Sequence, residues 1–314
     1  MKKRIVRLLL LMFLFLNIMA AFHAYKFTHF GSEKNTLTQN PEKLGVVDKI
    51  SALVFGVSLP RPVNTIFPSI TYVTFRLKND ELECWEFPVE KAKGNVLIFH
   101  GYGNKKSGML DKAYAFHNMG YRVLMIDFRG SGGSKGNTTT IGFAEGDDVK
   151  ATVDFVQKKY PGEKIFLMGS SMGAAAILKC MNDYALSANG LILECPFGSM
   201  YQTVCNRFEA MKVPSFPMAA LLVFYGGVIN GFWAFDHNPI DYASKVKVPV
   251  LLMNGGKDER VSLQEIEAIF NKLQGEKKKI IFPDAGHESY LNKYAKEWKD
   301  EVNRFMNMPN SQGL

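Results

Sequence analysis

From Asn95 onward the apolar positions come in short unbroken runs: NVLIFH, YRVLMIDF, KIFLMG, GLILEC, VPVLLMNG and KKIIFPDA. Runs without alternation are what strands of a parallel sheet require, because both of their faces are covered. Between them the apolar residues recur at helical spacing, which predicts helices around Lys106–Met119, Gly142–Lys159, Met172–Asn182 and Leu263–Gln274, and a last one over Ser289–Met306. Upstream, TYVTFRL and LECWEFPV flank the turn KNDE and read as an antiparallel lead-in to the same sheet. Strands alternating with helices in this way predict a doubly wound α/β domain over residues 70–308.

Two stretches break the pattern. Residues 196–245 carry VPSFPMAALLVFYGGVINGFWAF, 23 residues without a charge and long enough to span a bilayer. A second span would split the sheet across the membrane, and Pro214, Pro217, Gly226, Gly227 and Gly231 punctuate the run. It therefore reads as a small apolar helical lid, with surface for a substrate or for a membrane. The other stretch is MKKRIVR followed by LLLLMFLFLNIMAAFHA, a basic flank and an apolar segment that suits a signal anchor or a signal peptide over residues 1–30. Cleavage after Ala21 or Ala24 would put Met19 or Phe22 where a small residue is preferred, which favours an uncleaved anchor. The basic flank then predicts a cytoplasmic start and the domain over residues 70–308 on the non-cytoplasmic side of the membrane. Residues 31–69 form a linker and extension, with a short helix and a proline-punctuated loop in VVDKISALVFGVSLPRPVN, and residues 309–314 are a tail.

Charge changes the picture little. The net charge is +8, but residues 1–30 hold Lys2, Lys3, Arg4, Arg7 and Lys26 and no acid, leaving 33 basic against 30 acidic residues beyond them. The excess reports topology, so no nucleic-acid partner is expected. The four cysteines, Cys84, Cys180, Cys195 and Cys205, show no C-x-x-C pair and no metal spacing; they read as buried small apolar residues, with a Cys195–Cys205 bridge open if the domain is exported. DFRGSGGSKG matches neither phosphate-binding glycine pattern and reads as turn chemistry.

The candidate chemistry centres on Gly169-Ser170-Ser171-Met172-Gly173, between the strand KIFLMG and the helix MGAAAILKCM. A G-x-S-x-G turn in that context exposes the serine oxygen at its apex. A serine hydroxyl is a poor nucleophile until a base takes its proton, so a histidine oriented by a carboxylate must accompany it. Asp258 in NGGKDERV and His287 in DAGHESY both follow strands, and all three groups then lie beyond the carboxyl ends of parallel strands. Of the other histidines, His23 and His29 are in the N-terminal segment, His117 falls in a helix and His237 in the lid. His100, in HGYGN, is expected to shape a loop that aims the backbone N–H of Tyr102 at the substrate oxyanion, with the N–H of Met172 as the second donor. Glu194 is the alternative acid, and Asp127 is expected to anchor a loop.

Taken together, HGYG, DFRGSGGSKG, GSSMG, GGKDERV and AGHESY resemble the α/β-hydrolase superfamily, in its serine esterase, lysophospholipase and S33 aminopeptidase-like branch. The resemblance covers about residues 70–308 and implies a mostly parallel eight-stranded sheet with helices on both faces, a serine triad of Ser171, Asp258 and His287, and neither cofactor nor metal. The substrate is left open by the fold. The apolar lid, with Phe232 and Trp233 as candidate substrate contacts, favours a small-molecule or lipid-like ester cleaved through an acyl-enzyme. An aminopeptidase or amidase on the same triad is the alternative, as is a non-catalytic binding protein on this fold. An amine-binding lid would need acids, and between Cys195 and Asp236 only Glu209 offers one.

Overall fold

The structure is a computed structural model that describes residues 2–32, 38, 45–184 and 186–308. Within the linker and extension expected over residues 31–69, residues 33–37 and 39–44 lie outside the described residues, as does the tail 309–314. In chain order the elements begin with helices α1 (Lys2–Thr28) and α2 (Val46–Phe55), then strands β1 (Val73–Leu77), β2 (Leu82–Phe87) and β3 (Asn95–Phe99). A 3₁₀ turn at Lys106–Met109 leads into α3 (Leu110–Asn118), followed by β4 (Arg122–Ile126), α4 (Glu145–Lys159), β5 (Ile165–Ser170), α5 (Met172–Asp183) and β6 (Gly190–Glu194). Helices α6 (Met200–Met211), α7 (Met218–Asn230) and α8 (Pro239–Ala243) come next. The chain closes with β7 (Val250–Gly255), α9 (Leu263–Lys272), β8 (Lys277–Phe282), α10 (Tyr290–Lys293) and α11 (Ala295–Met306).

These elements divide into two units, Met1–Pro60 with Ser199–Asn238, and Arg61–Gly198 with Pro239–Leu314. The second unit holds one eight-stranded sheet in the order β1-β2-β4-β3-β5-β6-β7-β8. Pairings β1–β2 and β2–β4 are antiparallel and the remaining five are parallel, as the lead-in hairpin predicts. Every residue of β3, β4, β6 and β7 is buried, the physical counterpart of their unbroken apolar runs. Val96, Ile98, Met125, Met168 and Met253 face a core completed by Phe116 of α3 and Trp298, Val302 and Phe305 of α11. The alternate residues face the other side, where α4, α5 and α9 pack on β3, β5 and β7. The predicted last helix is broken: Tyr294, at φ −124° and ψ 46°, separates α10 from α11. Its ring packs 4.9 Å from Phe282 and its hydroxyl accepts the Asp284 N–H at 3.0 Å, which holds the residue out of helical register.

The first unit brings the N-terminal helix together with the lid helices. The charge-free run of the lid forms a helix of only 13 residues, α7, too short to cross a bilayer. Among the described residues α1 is the one helix long and apolar enough to do so. Ala24 of α1, Cys205 and Phe208 of α6, and Ala219 and Leu222 of α7 form the unit's buried cluster. Cys84, Cys180, Cys195 and Cys205 are all free thiols, so the Cys195–Cys205 bridge is not formed.

Candidate active site

Ser171 occupies the hinge between β5 and α5 with φ 52° and ψ −111°, a region that non-glycine residues enter only when their surroundings impose it. Two glycines make this possible. A Cβ on Gly169 would lie 2.6 Å from the Ala174 nitrogen, and one on Gly173 would lie 2.2 Å from the Phe99 carbonyl oxygen. The strand and the helix can therefore double back on each other only if Gly169 lacks a side chain, and α5 can start against the end of β3 only if Gly173 does. The Ser171 N–H is spent on the Glu194 carbonyl at 2.8 Å, which ties the turn to the neighbouring strand.

Parallel pairing of β5, β6, β7 and β8 carries the following loops to the same edge of the sheet. Asp258 follows β7 and His287 follows β8, and the structure brings both to Ser171. His287 Nε2 lies 3.0 Å from Ser171 Oγ, and Nδ1 lies 2.8 Å from Asp258 Oδ2. The other Asp258 oxygen accepts the N–H groups of Arg260 at 2.8 Å and Val261 at 3.0 Å, so the fully buried carboxylate has one oxygen fixed by backbone and the other left for the imidazole. Burial opposes a positive charge on His287, but the adjoining Cys195 and the Asp258 carboxylate more than offset it, and the pKa is raised above the ordinary imidazole value. Ser170, the neighbouring serine, is the last residue of β5 and pairs with Glu194 in the sheet.

The Tyr102 loop sits beside the serine, since a Cβ on Gly101 would be 3.6 Å from Ser171 Cβ. His100 is buried and shapes this loop: it accepts the Phe128 N–H at Nε2 (3.0 Å) and donates from Nδ1 to the Gly101 carbonyl (2.9 Å). Burial lowers its pKa, which suits a neutral structural imidazole. Gly103 follows at φ +66°, reversing the chain just after Tyr102. Met172 is the first residue of α5, where backbone N–H groups have no acceptor in a preceding helical turn.

Glu194, the alternative acid, is engaged elsewhere. Its Oε1 accepts the indole N–H of Trp298 at 2.7 Å, and Lys112 Nζ lies 3.4 Å from Oε2. Burial raises its pKa against the pull of Lys112 and the indole. Asp127 anchors loops as expected, accepting the N–H groups of Lys106 (2.7 Å) and Gly133 (2.8 Å) and the Asn64 amide (2.7 Å). Arg61 donates to the carbonyls of Gly132, Ser134 and Gly136, so the glycine-rich loop presents its carbonyls to a guanidinium. Phe232 and Trp233 lie in the first unit, just past α7, with Trp233 54% exposed.

Three residues near the site have no signal in the local sequence. Lys106 is fully buried, paired with Asp127 and Glu83 and set 4.4 Å over the Trp85 ring. Tyr290 accepts the Gly255 N–H at 3.0 Å and so holds the end of β7 just ahead of Asp258. Cys195, at φ +41°, places its sulfur within 4.8 Å of ligand atoms of Asp258 and His287. That trio could hold a metal ion, although its histidine and carboxylate are already bonded to each other and to the serine. The order of β6 and β7 in the sheet is the clue that would have placed Cys195 there.

Comparison with known proteins adds the following. The family model described as serine aminopeptidase, S33, matches residues 90–227, and that of the dienelactone hydrolase family matches residues 209–305. The Bacillus subtilis (strain 168) protein YqkD is 27% identical over 218 residues, covering 68% of this chain and 72% of its own. The acylamino-acid-releasing enzyme of Sus scrofa is 24% identical over 184 residues, 54% of this chain and 25% of that enzyme. Among solved structures, an esterase of Pyrococcus furiosus superposes with a TM-score of 0.68 at 23% identity, covering 80% of this chain and 97% of that one.

Proposed function

We propose that the chain is a serine hydrolase of the α/β-hydrolase superfamily and that it cleaves carboxylic esters through an acyl-enzyme formed on Ser171. The observation that carries this reading is the unbroken line of hydrogen bonds from Ser171 Oγ through His287 to Asp258. Ser171 Oγ attacks the ester carbonyl carbon while its proton passes to His287 Nε2. The oxyanion so formed is held by the backbone N–H groups of Tyr102 and Met172. Collapse breaks the bond to the alkoxy oxygen, which leaves with the proton from His287. Water then attacks the acyl-serine, again giving up its proton to His287, and the carboxylic acid departs with Ser171 restored. Asp258 accepts the Nδ1–H throughout, keeping Nε2 in the acceptor tautomer and stabilising the imidazolium that forms.

The lid favours esters over peptides with a free amine. Between Cys195 and Asp236 its acid is Glu209, which is solvent-exposed. The amide reading draws on the aminopeptidase family description and on the acylamino-acid-releasing relative. Purified protein assayed on p-nitrophenyl esters of increasing chain length beside aminoacyl anilides separates the two; anilide turnover above ester turnover would overturn the ester assignment. We assign acyl-length selection to Phe232 and Trp233. A charged residue at either position is expected to raise KM for long-chain esters about 10-fold or more with little change for acetate esters, since each apolar contact contributes about 1–3 kcal/mol. Equal losses on both substrates would reject that assignment.

We read α1 as a retained anchor, with the catalytic unit on the non-cytoplasmic side because the basic flank Lys2, Lys3, Arg4 and Arg7 stays inside. Protease added outside the cytoplasmic membrane is then expected to digest the catalytic unit. Protection of residues 70–308 would reverse the orientation, and a soluble chain beginning near Tyr25 would show cleavage.

A further inference from the structure

We propose that α7 is itself immersed in the membrane, lying alongside the C-terminal half of α1, so that the first unit is a lipid-embedded platform rather than a domain tethered by a lone helix. The argument rests on the proposal that α1 spans the bilayer. Residues 8–25 carry no Asp, Glu, Lys or Arg, and at the helical rise they measure about 27 Å, close to the hydrocarbon thickness of about 30 Å. Arg7 and Lys26 bracket this interval, so each marks a headgroup level.

Burial along α1 is confined to one half of it. Residues 2–15 are exposed throughout, whereas Ala20, Ala24 and Thr28 are buried on one face. Helix α7 covers that face through Ala219 and Leu222. A hydrogen bond joins the two helices: the Tyr225 hydroxyl donates to Asn17 Oδ1 at 2.9 Å, while Asn17 Nδ2 donates to the Phe13 carbonyl at 2.8 Å. Asn17 lies nine residues before Lys26, about 14 Å along the axis and therefore near the middle of the hydrocarbon. A polar side chain at that depth must find its partners within the protein, and half of what satisfies Asn17 comes from α7.

The rest of α7 fits the same solvent. It contains no charged residue, and while Ala219, Leu222, Val223 and Gly227 are buried, Phe224 and Val228 are exposed on the opposite face. Asn230, its one other strongly polar side chain, donates to the Gly226 carbonyl at 2.8 Å. A helix apolar on both faces with one face uncovered is suited to lipid rather than water. Where α1 reaches Lys26, that side chain donates to the Phe55 carbonyl at the end of α2 (3.0 Å). Val47, Ile50 and Val54 form an exposed apolar stripe along α2, as expected of a helix lying in the interface. The occupant of this surface is therefore phospholipid, continuous with the lipid around α1.

The test is a depth measurement on the full chain reconstituted in phosphatidylcholine/phosphatidylglycerol vesicles. Nitroxide labels are placed singly by Phe224→Cys and Val228→Cys, with Phe13→Cys as the hydrocarbon reference and Glu209→Cys as the aqueous one. A thermal unfolding transition close to that of the parent shows that each variant is folded, and the unsubstituted chain, whose cysteines are buried, gives the background. Labels at 224 and 228 are expected to be relaxed by oxygen and shielded from a water-soluble nickel chelate about as strongly as the label at 13, with the label at 209 showing the reverse. Nickel accessibility at 224 and 228 with shielding at 13 would put α7 in water and overturn the proposal. Accessibility at all sites would remove the spanning helix as well. Shielding from both reagents with spin–spin broadening would mean that a second copy of the chain covers α7, which also overturns it. The readout is depth, so none of these outcomes bears on whether the chain hydrolyses esters.

Discussion

Ser171→Ala is expected to abolish labelling by a fluorophosphonate probe and to reduce ester turnover on the order of 10⁴-fold or more, with an unfolding transition close to that of the parent. The probe reacts with an activated serine only, and the line from Ser171 Oγ to His287 is what would activate this one. Loss of the hydroxyl leaves the turn itself intact, because the Ser171 N–H bond to Glu194 and the carbonyl bond from Ala175 are backbone bonds. Ser170→Ala is the matched control: its residue ends β5, one position before the hinge, and it is expected to keep both labelling and turnover. Turnover by Ser171→Ala at the parent rate would overturn the mechanism, whereas labelling of a second serine would show only that the probe has a second target.

Asp258→Asn is expected to lower kcat by about 10³- to 10⁴-fold. The amide can present an N–H to Nδ1, which places the imidazole proton on Nε2, where it can no longer accept from Ser171. A change in pH dependence accompanies the loss. His287 must be neutral to take the serine proton, so kcat/KM rises as pH climbs through its pKa, and that limb lies above 6.5 in the parent because Cys195 and Asp258 outweigh the effect of burial. Removing the carboxylate's charge takes away part of that support, and the limb moves to lower pH. Glu194→Gln leaves the limb and kcat nearly unchanged, since the carboxylate serves Trp298 and Lys112, but it lowers stability by removing one of the two carboxylates paired with the buried Lys112, which keeps Asp111 and the Ser289 hydroxyl. A collapse of kcat in Glu194→Gln with Asp258→Asn active would transfer the acid to the end of β6.

The sheet was legible because burial on both faces leaves a direct trace: NVLIFH and VPVLLMNG are apolar without alternation, and β3 and β7 are buried at every residue. The serine turn was legible for a similar reason. Gly169 and Gly173 are demanded by backbone approaches of 2.6 Å and 2.2 Å, so the requirement is written into two nearby positions. What local sequence cannot carry is any relation set by strand order. Cys195 stands beside Asp258 and His287 because β6 neighbours β7, and Lys106 is buried because Asp127, just past β4, and Glu83 of β2 arrive to pair it. The break at Tyr294 is of the same kind, imposed on a helical pattern by Phe282 and Asp284.

The first unit shows the division most clearly. Sequence alone determined that α1 is apolar enough to span a bilayer and that the run ending in NGFWAF carries no charge, since both are properties of composition over a short window. Only the tertiary structure decided that these two segments, some two hundred residues apart, belong to one unit, with Asn17 and Tyr225 joined across it. An uncharged helix can bury its apolar face against a core, a substrate or a lipid at similar gain, because hydrophobic burial has no direction. A hydrogen bond between two named side chains does have direction, and it is that bond which selects the partner.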